Sequence, residues 1–451
     1  MKRRTARILT VLAVLVIGLG VVYAVAVAIS AARLRDAYAA IEKAGRPMNP
    51  GAVIPPTVLD TENAMPLYQS AALLLKAQPA PLKQSDQKEK DLLDYLGKLS
   101  GSLADGSVDP NGLAELQELL QRDVVSQALA IVRQGTERDA CRFERDYANG
   151  LQTYPPLLDF PALSQVLGAK ARLEARAGRP AAAWELAQIQ LKFTDALRQE
   201  PSFICQLLRF RMVELSCETI QEICRTAPPD RQQSEKIVDF LATLDGIEPL
   251  MLALDGERLL IGERLFTMPK TQLRETLRRE VLTEEPMSDL FYWGLYHRIT
   301  FRPSFLADHA AYLRTMHQAA AMFERPYSPA DRKEPDFGKR HLTNMLVPAV
   351  WRIREIHLEM VAKVRMTIAG LGVIQYKQDH ATFPQTLDVL EVKNLGDPFD
   401  DQPLRYRVEP EGFLLYSIGG DQKDNHGVPR QPKARPRQKE DFDLVWRFAA
   451  S

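Results

Sequence analysis

Residues 8–32 carry no charged side chain, and Lys2, Arg3, Arg4 and Arg7 stand immediately before that run. About 20 apolar residues let a helix cross a bilayer core of about 30 Å, because the helix satisfies its own backbone N–H and C=O groups. A run of this kind is stable in lipid, and the rest of the chain must then fold in water on one side of it. The basic first residues assign their end to the cytoplasm and send the remainder across the membrane, with Arg33 and Arg35 on the far side working against that bias. Small residues at 26–28 and 30–32 offer places where a leader could be cut. The apolar part of a secretory signal is about 7–15 residues, shorter than this run. The reading is therefore an uncleaved, single-pass anchor that meets membrane lipid through residues 8–32, with the bulk of the chain exported.

The chain has 451 residues, enough for two or three domains, with 45% hydrophobic and 26% charged residues, as in ordinary globular protein. Lys+Arg and Asp+Glu stand at 58 each, and phosphate backbones need a clustered basic excess, so nucleic acid is not expected as a partner. Cys141, Cys205, Cys217 and Cys224 would lie in an oxidising compartment, yet they form no CxxC or zinc spacing. Cys217 and Cys224 fall about two turns apart on one helix and cannot pair with each other. Buried thiols are expected, with one bond from Cys141 to the 205–224 helix left open.

Turn and linker signals divide the chain. Residues 1–35 are the cytoplasmic basic tip and transmembrane anchor, and 36–60, rich in Pro and Gly after a short amphipathic stretch, read as stalk and linker. Residues 61–330 read as an α-helical domain. Leu113, Leu116, Leu119 and Leu120 repeat at helical spacing, and Val124, Val125, Ala128, Ile131 and Val132 extend the apolar face. Gly178 and Pro180 mark the turn of a helical hairpin, in which Ala169, Ala171 and Ala175 face Trp184 and Leu186. That packing is similar to a tetratricopeptide unit, but no second copy recurs at a fixed period. Helices are expected over 234–254, 257–265, 271–280 and 303–323, followed by a polar boundary at 324–339. The fold class is mainly α: an N-terminal transmembrane helix, an α-helical array, then a small α+β domain at 340–451.

Within the helical domain no constellation of residues announces a reaction. His309 and His317 share a helix without a completing ligand. Asp255, Glu257 and Glu263 alternate with Arg258 and Arg264, which reads as a solvated helix face more readily than as paired catalytic carboxylates. Cys141 has no histidine near it in sequence to serve as a base. No GxSxG, P-loop or GxGxxG pattern is present.

The C-terminal domain is richer. A long helix over 350–376 leads through Phe383-Pro384 to a second short helix at 386–390. Asp397-Pro398 then opens a turn, and 404–408 and 413–417 alternate as half-buried strands of a hairpin. Residues 443–447 supply a third antiparallel strand, after a carboxylate-rich loop. Several carboxylates in one loop suit a hard cation such as Ca²⁺, which takes 6–8 oxygen donors.

The order Tyr376, Phe383-Pro384, Leu387, Asp397-Pro398-Phe399, Leu404, Tyr406, Tyr416-Ser417, Gly419, Asp421, Asp441, Asp443-Leu444 and Trp446 resembles the C-terminal domain of the type II secretion major pseudopilin. The resemblance covers about 361–448, less than a quarter of the chain. It implies a calcium ion held by Asp421 and Asp443, with Asp424 and Asp441 as further candidates and backbone carbonyls of 417–420 assisting. Gln422 stands where that family has glycine, and 428–439 form a basic, Pro-rich insertion. Residues 8–32 lack the family's processing site and its helix glutamate, so assembly into a fibre by that route is not expected. The layout is similar to large bacterial envelope proteins that carry such a domain. What it implies is a protein of the bacterial inner membrane with a periplasmic body, a structural or interaction component with protein partners in the envelope, near a secretion or pilus-like assembly. An envelope hydrolase, or a ligand binder with its site in the helical domain and exposed aromatics such as Trp293, is the alternative.

Overall fold

The computed structural model describes residues 2–81, 91–147, 156–281, 296–297, 300–333, 338, 340–347, 350–429 and 442–449. The uncharged run opens one continuous helix, α1 (Lys2–Lys43). Its most apolar window reaches a mean hydropathy of 2.8 and has no buried residue, so it is long and apolar enough to cross a membrane. Past that run, Ala37 and Ile41 fall one turn apart on one face and are buried in the main core. The stretch expected as a stalk is thus packed, and the following linker also lies on the body: Val53 is buried with Tyr147, Leu259 and Leu260.

A helical layer follows: α2 (Met65–Lys76), α3 (Leu92–Ala104), α4 (Pro110–Leu119), α5 (Asp123–Thr136), α6 (Asp159–Arg176), α7 (Pro180–Phe193) and α8 (Phe203–Thr226). Asp91 and Asp109 cap α3 and α4 through N–H groups of Asp94 and Gly112 at 3.0 and 2.7 Å, which satisfies donors a helix start leaves open. Gly178 at φ +72° ends α6, and Pro180 begins α7. This layer closes around Tyr68, Phe160 and Phe193, with Phe160 stacked on Phe193 at 5.6 Å.

The chain continues as α9 (Arg231–Ala242), α10 (Glu248–Gly256), a π-helical turn (Glu257–Gly262), α11 (Glu263–Thr267), α12 (Lys270–Val281), α13 (Arg302–Glu324) and α14 (His341–Leu346). The helix expected over 234–254 is broken between α9 and α10, where Pro249 can be accommodated only in a first turn. The last long helix is α15 (Val350–His380). It lies against a three-stranded antiparallel sheet of order β1 (Arg405–Glu409), β2 (Gly412–Ser417), β3 (Leu444–Ala449). β2 is central and wholly buried, and Leu415 sits opposite both Tyr406 and Trp446. The short helix expected at 386–390 is a single 3₁₀ turn (Leu387–Val389).

One core runs through both parts of the chain. Ile41 of α1, Trp184 of α7, Phe210 of α8, Leu254 of α10, Met316 of α13, Val364 of α15, Phe413 of β2 and Trp446 of β3 belong to the same buried cluster. Arg365 on α15 grips Asp245 with Nε and Nη2 at 3.0 and 2.8 Å. The C-terminal unit is therefore packed into the helical body, and the space between them is where charged side chains are brought together.

Candidate functional site

Arg211, Glu214 and Glu218 share one face of α8, and Glu355, Glu359 and Lys363 follow one another a turn apart on α15. Gln221 Nε2 donates to Thr367 Oγ1 at 3.1 Å and holds these helices side by side. Lys363 Nζ then stands 3.4 Å from Glu214 and 3.6 Å from Glu218, and Arg211 Nη1 lies 3.2 and 3.4 Å from the same two carboxylates. Burial alone would lower the Lys363 pKa, but Glu214 and Glu218 hold it raised. At the other end Arg332 donates to Glu355 at 2.6 Å, and Arg354 to Asp331 at 2.8 Å. Tyr327 Oη donates to the Gly420 carbonyl at 2.9 Å and ties this turn to the C-terminal loop.

These groups line a cleft of about 690 Å³, closed on its far side by Gly419, Gly420, Asp421, Asp443 and Leu444. That volume lies in the range of small-ligand sites, about 300–1,000 Å³. Within it Glu359 stands apart: among the described residues it has neither a hydrogen bond nor an ion pair. Burial, then the charges of Glu355 and Glu214, push its pKa up to about 7. Cys217 also lines the cleft. Burial pushes its thiol up to about 12, so it is not an activated nucleophile.

The C-terminal loop is organised by carboxylates in a second way. Asp397, with no exposed surface, accepts from the N–H groups of Phe399 and Ile418 at 3.1 and 3.0 Å, from Ser417 Oγ at 2.9 Å and from Arg405 Nη1 at 3.0 Å. It fastens the turn to the end of β2. Asp443, also buried, accepts from the N–H groups of Asn425 and Gly427 at 3.3 and 2.7 Å. Asp424 accepts from Tyr416 Oη and the His426 N–H at 3.1 and 2.7 Å, and Asp421 from the Lys423 N–H at 3.1 Å. Gln422 sits at φ +54°, in the left-handed region where the pseudopilin pattern has glycine, and its amide reaches the Phe399 carbonyl.

Asp443 therefore lies against the loop that carries Asp421 and Asp424, and burial with the Asp424 and Asp421 charges raises its pKa. Carboxylate oxygens are the right donors for Ca²⁺, and Asp443 has no cationic partner among the described residues. Yet among those residues no three acidic, histidine or cysteine side chains converge closely enough to hold an ion. Two of the carbonyls expected to assist are already engaged, Gly419 by the Gln422 N–H and Gly420 by Tyr327. Asp441, Trp293 and residues 430–439 lie outside the described residues.

The other sequence candidates are structural. Asp255 and Arg258 do not sit on a solvated face: both are buried, and with Arg46, Glu263 and the Pro47 carbonyl they clamp the end of α1 to α10. Glu257 caps α8 by accepting from the Phe203 N–H at 2.9 Å and Ser202 Oγ at 3.2 Å. Burial pushes its pKa up to about 7. His309 is stacked on Phe266 at 4.3 Å, and burial lowers its pKa to about 4. All four cysteines are free thiols. Sequence reasoning passed over the cleft residues Arg211, Glu214, Glu218, Glu355, Glu359 and Lys363. The one available signal was the row Glu355, Glu359 and Lys363 at turn spacing on a long helix that also carries an apolar face. The chain matches no family model, no curated protein and no solved structure.

Proposed function

We propose that this chain is a membrane-anchored binding protein of the bacterial envelope, held by α1, whose body takes a charged segment of a protein partner into the cleft between α8 and α15. The supporting observation is Glu359, a carboxyl without a hydrogen-bond partner among the described residues, in a cleft otherwise stitched by ion pairs. A cationic side chain entering there would pair with it and ionise it fully. The resemblance to the pseudopilin C-terminal domain supports the same interaction role and a place near a secretion or pilus-like assembly, with the body in the periplasm.

A photo-crosslinking residue at Trp351, on the cleft rim, tests this in the full chain in intact cells. One discrete adduct is expected, weakened at least tenfold by Glu359→Lys. An adduct pattern unchanged by that reversal, or no adduct, would overturn the reading. The hydrolase alternative is expected to have its site in the helical domain; a hydrolase reading placed instead on Glu359 of α15 would use a carboxyl with a pKa near 7, suited to general acid–base work. Substrate turnover lost on Glu359→Gln would be its signature.

A further inference from the structure

The face of the body beside α1 carries aromatic and cationic residues that contacts within the body do not explain. Tyr23 belongs to the uncharged run, and its ring meets that of Phe301 at 5.7 Å between centroids. Phe301 is the residue before α13 and is 51% exposed. Further along, Tyr38 Oη lies 3.4 Å from His309 Nε2, so α13 follows α1 away from the apolar run in the same sense. Counted from Ile8 at about 1.5 Å per residue, a core of about 30 Å ends near Val27 and leaves Tyr23 about 6 Å inside it. A body on a free stalk would stand clear of the bilayer. Here the start of α13 is held at the depth of Tyr23.

Beyond that depth comes a cationic zone. Arg33 lies about 9 Å past Val27 along α1, within reach of the headgroup layer for a long side chain that bends back toward it. Arg314 on α13 is close to both Arg33 and Arg340: burial, then those two charges, lowers its pKa. Among the described residues none of these three arginines has a carboxylate partner. Asp308, on the same helix as Arg314, is buried and turned toward the N–H groups of Leu342 and Thr343 at 3.0 and 3.1 Å. Asp36, near Arg33 along α1, forms no ion pair with any of the three.

We infer that this face docks on the bilayer that α1 crosses, with Phe301 beside Tyr23 in the boundary layer of acyl chains just beneath the headgroups and Arg33, Arg314 and Arg340 receiving the phosphates of anionic lipid headgroups. Amphipathic and aromatic rings favour that layer, and arginines beside it are drawn to anionic lipid. The inference rests on α1 being the membrane span proposed above, and the test separates the two. The full chain is reconstituted in nanodiscs with an environment-sensitive fluorophore on Phe301→Cys or Tyr23→Cys, the unsubstituted protein giving the background, and with nitroxide-bearing lipid as quencher. Strong quenching is expected at both positions. Quenching at 23 and none at 301 would overturn the docking and leave the anchor standing, whereas none at 23 would overturn the anchor itself. For the headgroups, hydrogen exchange over residues 340–347 is compared in phosphatidylcholine with and without phosphatidylglycerol. A severalfold slowing with the anionic lipid, lost in Arg314→Glu, is expected. Equal exchange in both lipids would overturn the arginine assignment.

Discussion

Gly370 sits in the interior of α15, where propensity alone says that alanine would be better by about 1 kcal/mol. The packing says the opposite. A Cβ at Gly370 would lie 1.6 Å from Cζ3 and 2.3 Å from Cη2 of Trp446, an indole only 2% exposed and set edge-on to Phe413 at 5.5 Å. Such an approach cannot be absorbed by a small shift, so the indole must leave its place, at a cost on the scale of losing a buried aromatic, about 3–5 kcal/mol. Gly370→Ala should then destabilise the contact of α15 with the sheet by about 2–4 kcal/mol net. Read by hydrogen exchange of β2 and β3, this is a rise in local opening of roughly 30- to 1,000-fold. Gly372→Ala is the control on the same helix: its Cβ would meet Leu390 and Val392 at 3.4 Å, an ordinary contact. It should leave exchange unchanged or slow it. Equal or slower exchange in Gly370→Ala would refute the packing argument.

Other expectations follow from the same unit and the cleft. Asp397→Ala strands Ser417 Oγ and the N–H groups of Phe399 and Ile418, while Arg405 keeps Asp400, and should cost about 2–4 kcal/mol, with Asp397→Asn milder, measured by urea melts of the sheet; a neutral Asp397→Ala would contradict this hub role. Glu359 has a folded pKa raised from 4.5 to about 7, so the native state holds its proton longer than the unfolded state does. Its contribution therefore falls as pH rises from about 4.5 to about 7, with a slope of at most about 1.4 kcal/mol per pH unit. Glu359→Gln should remove that slope, and an unchanged pH–stability curve would count against it. If the C-terminal loop takes up calcium as the resemblance implies, the full chain should melt higher in Ca²⁺ than in EGTA, gaining about 2.7 kcal/mol at a hundredfold excess over Kd. Asp421→Ala should erase the difference, and identical melts in both buffers would dispose of the ion.

Local chemistry determined much of what this chain is, and it did so from residues that act on their neighbours. The uncharged run at 8–32 can only be a long apolar helix, and Asp91, Asp109, Gly178 and Pro180 set helix ends because each answers the unpaired backbone groups beside it. The strand-forming runs at 404–408, 413–417 and 443–447 likewise specified an antiparallel sheet, but β2, expected to be half-buried, is buried on both faces because it lies at the centre of the sheet. The cleft was not legible in this way. Glu355, Glu359 and Lys363 have the spacing of a solvated helix face, and so do Arg211, Glu214 and Glu218. Only the packing of α15 on α8 turned two such faces toward each other, paired most of the charges and left Glu359 without a partner among the described residues. The same holds for α1: its sequence determined a helix long and apolar enough to cross a membrane, but the burial of Ala37 and Ile41 and the meeting of Tyr23 with Phe301 decided that the body sits against that helix. Helix ends and strand-forming runs are set by near neighbours, whereas burial and charge pairing depend on residues that only the folded chain brings within reach.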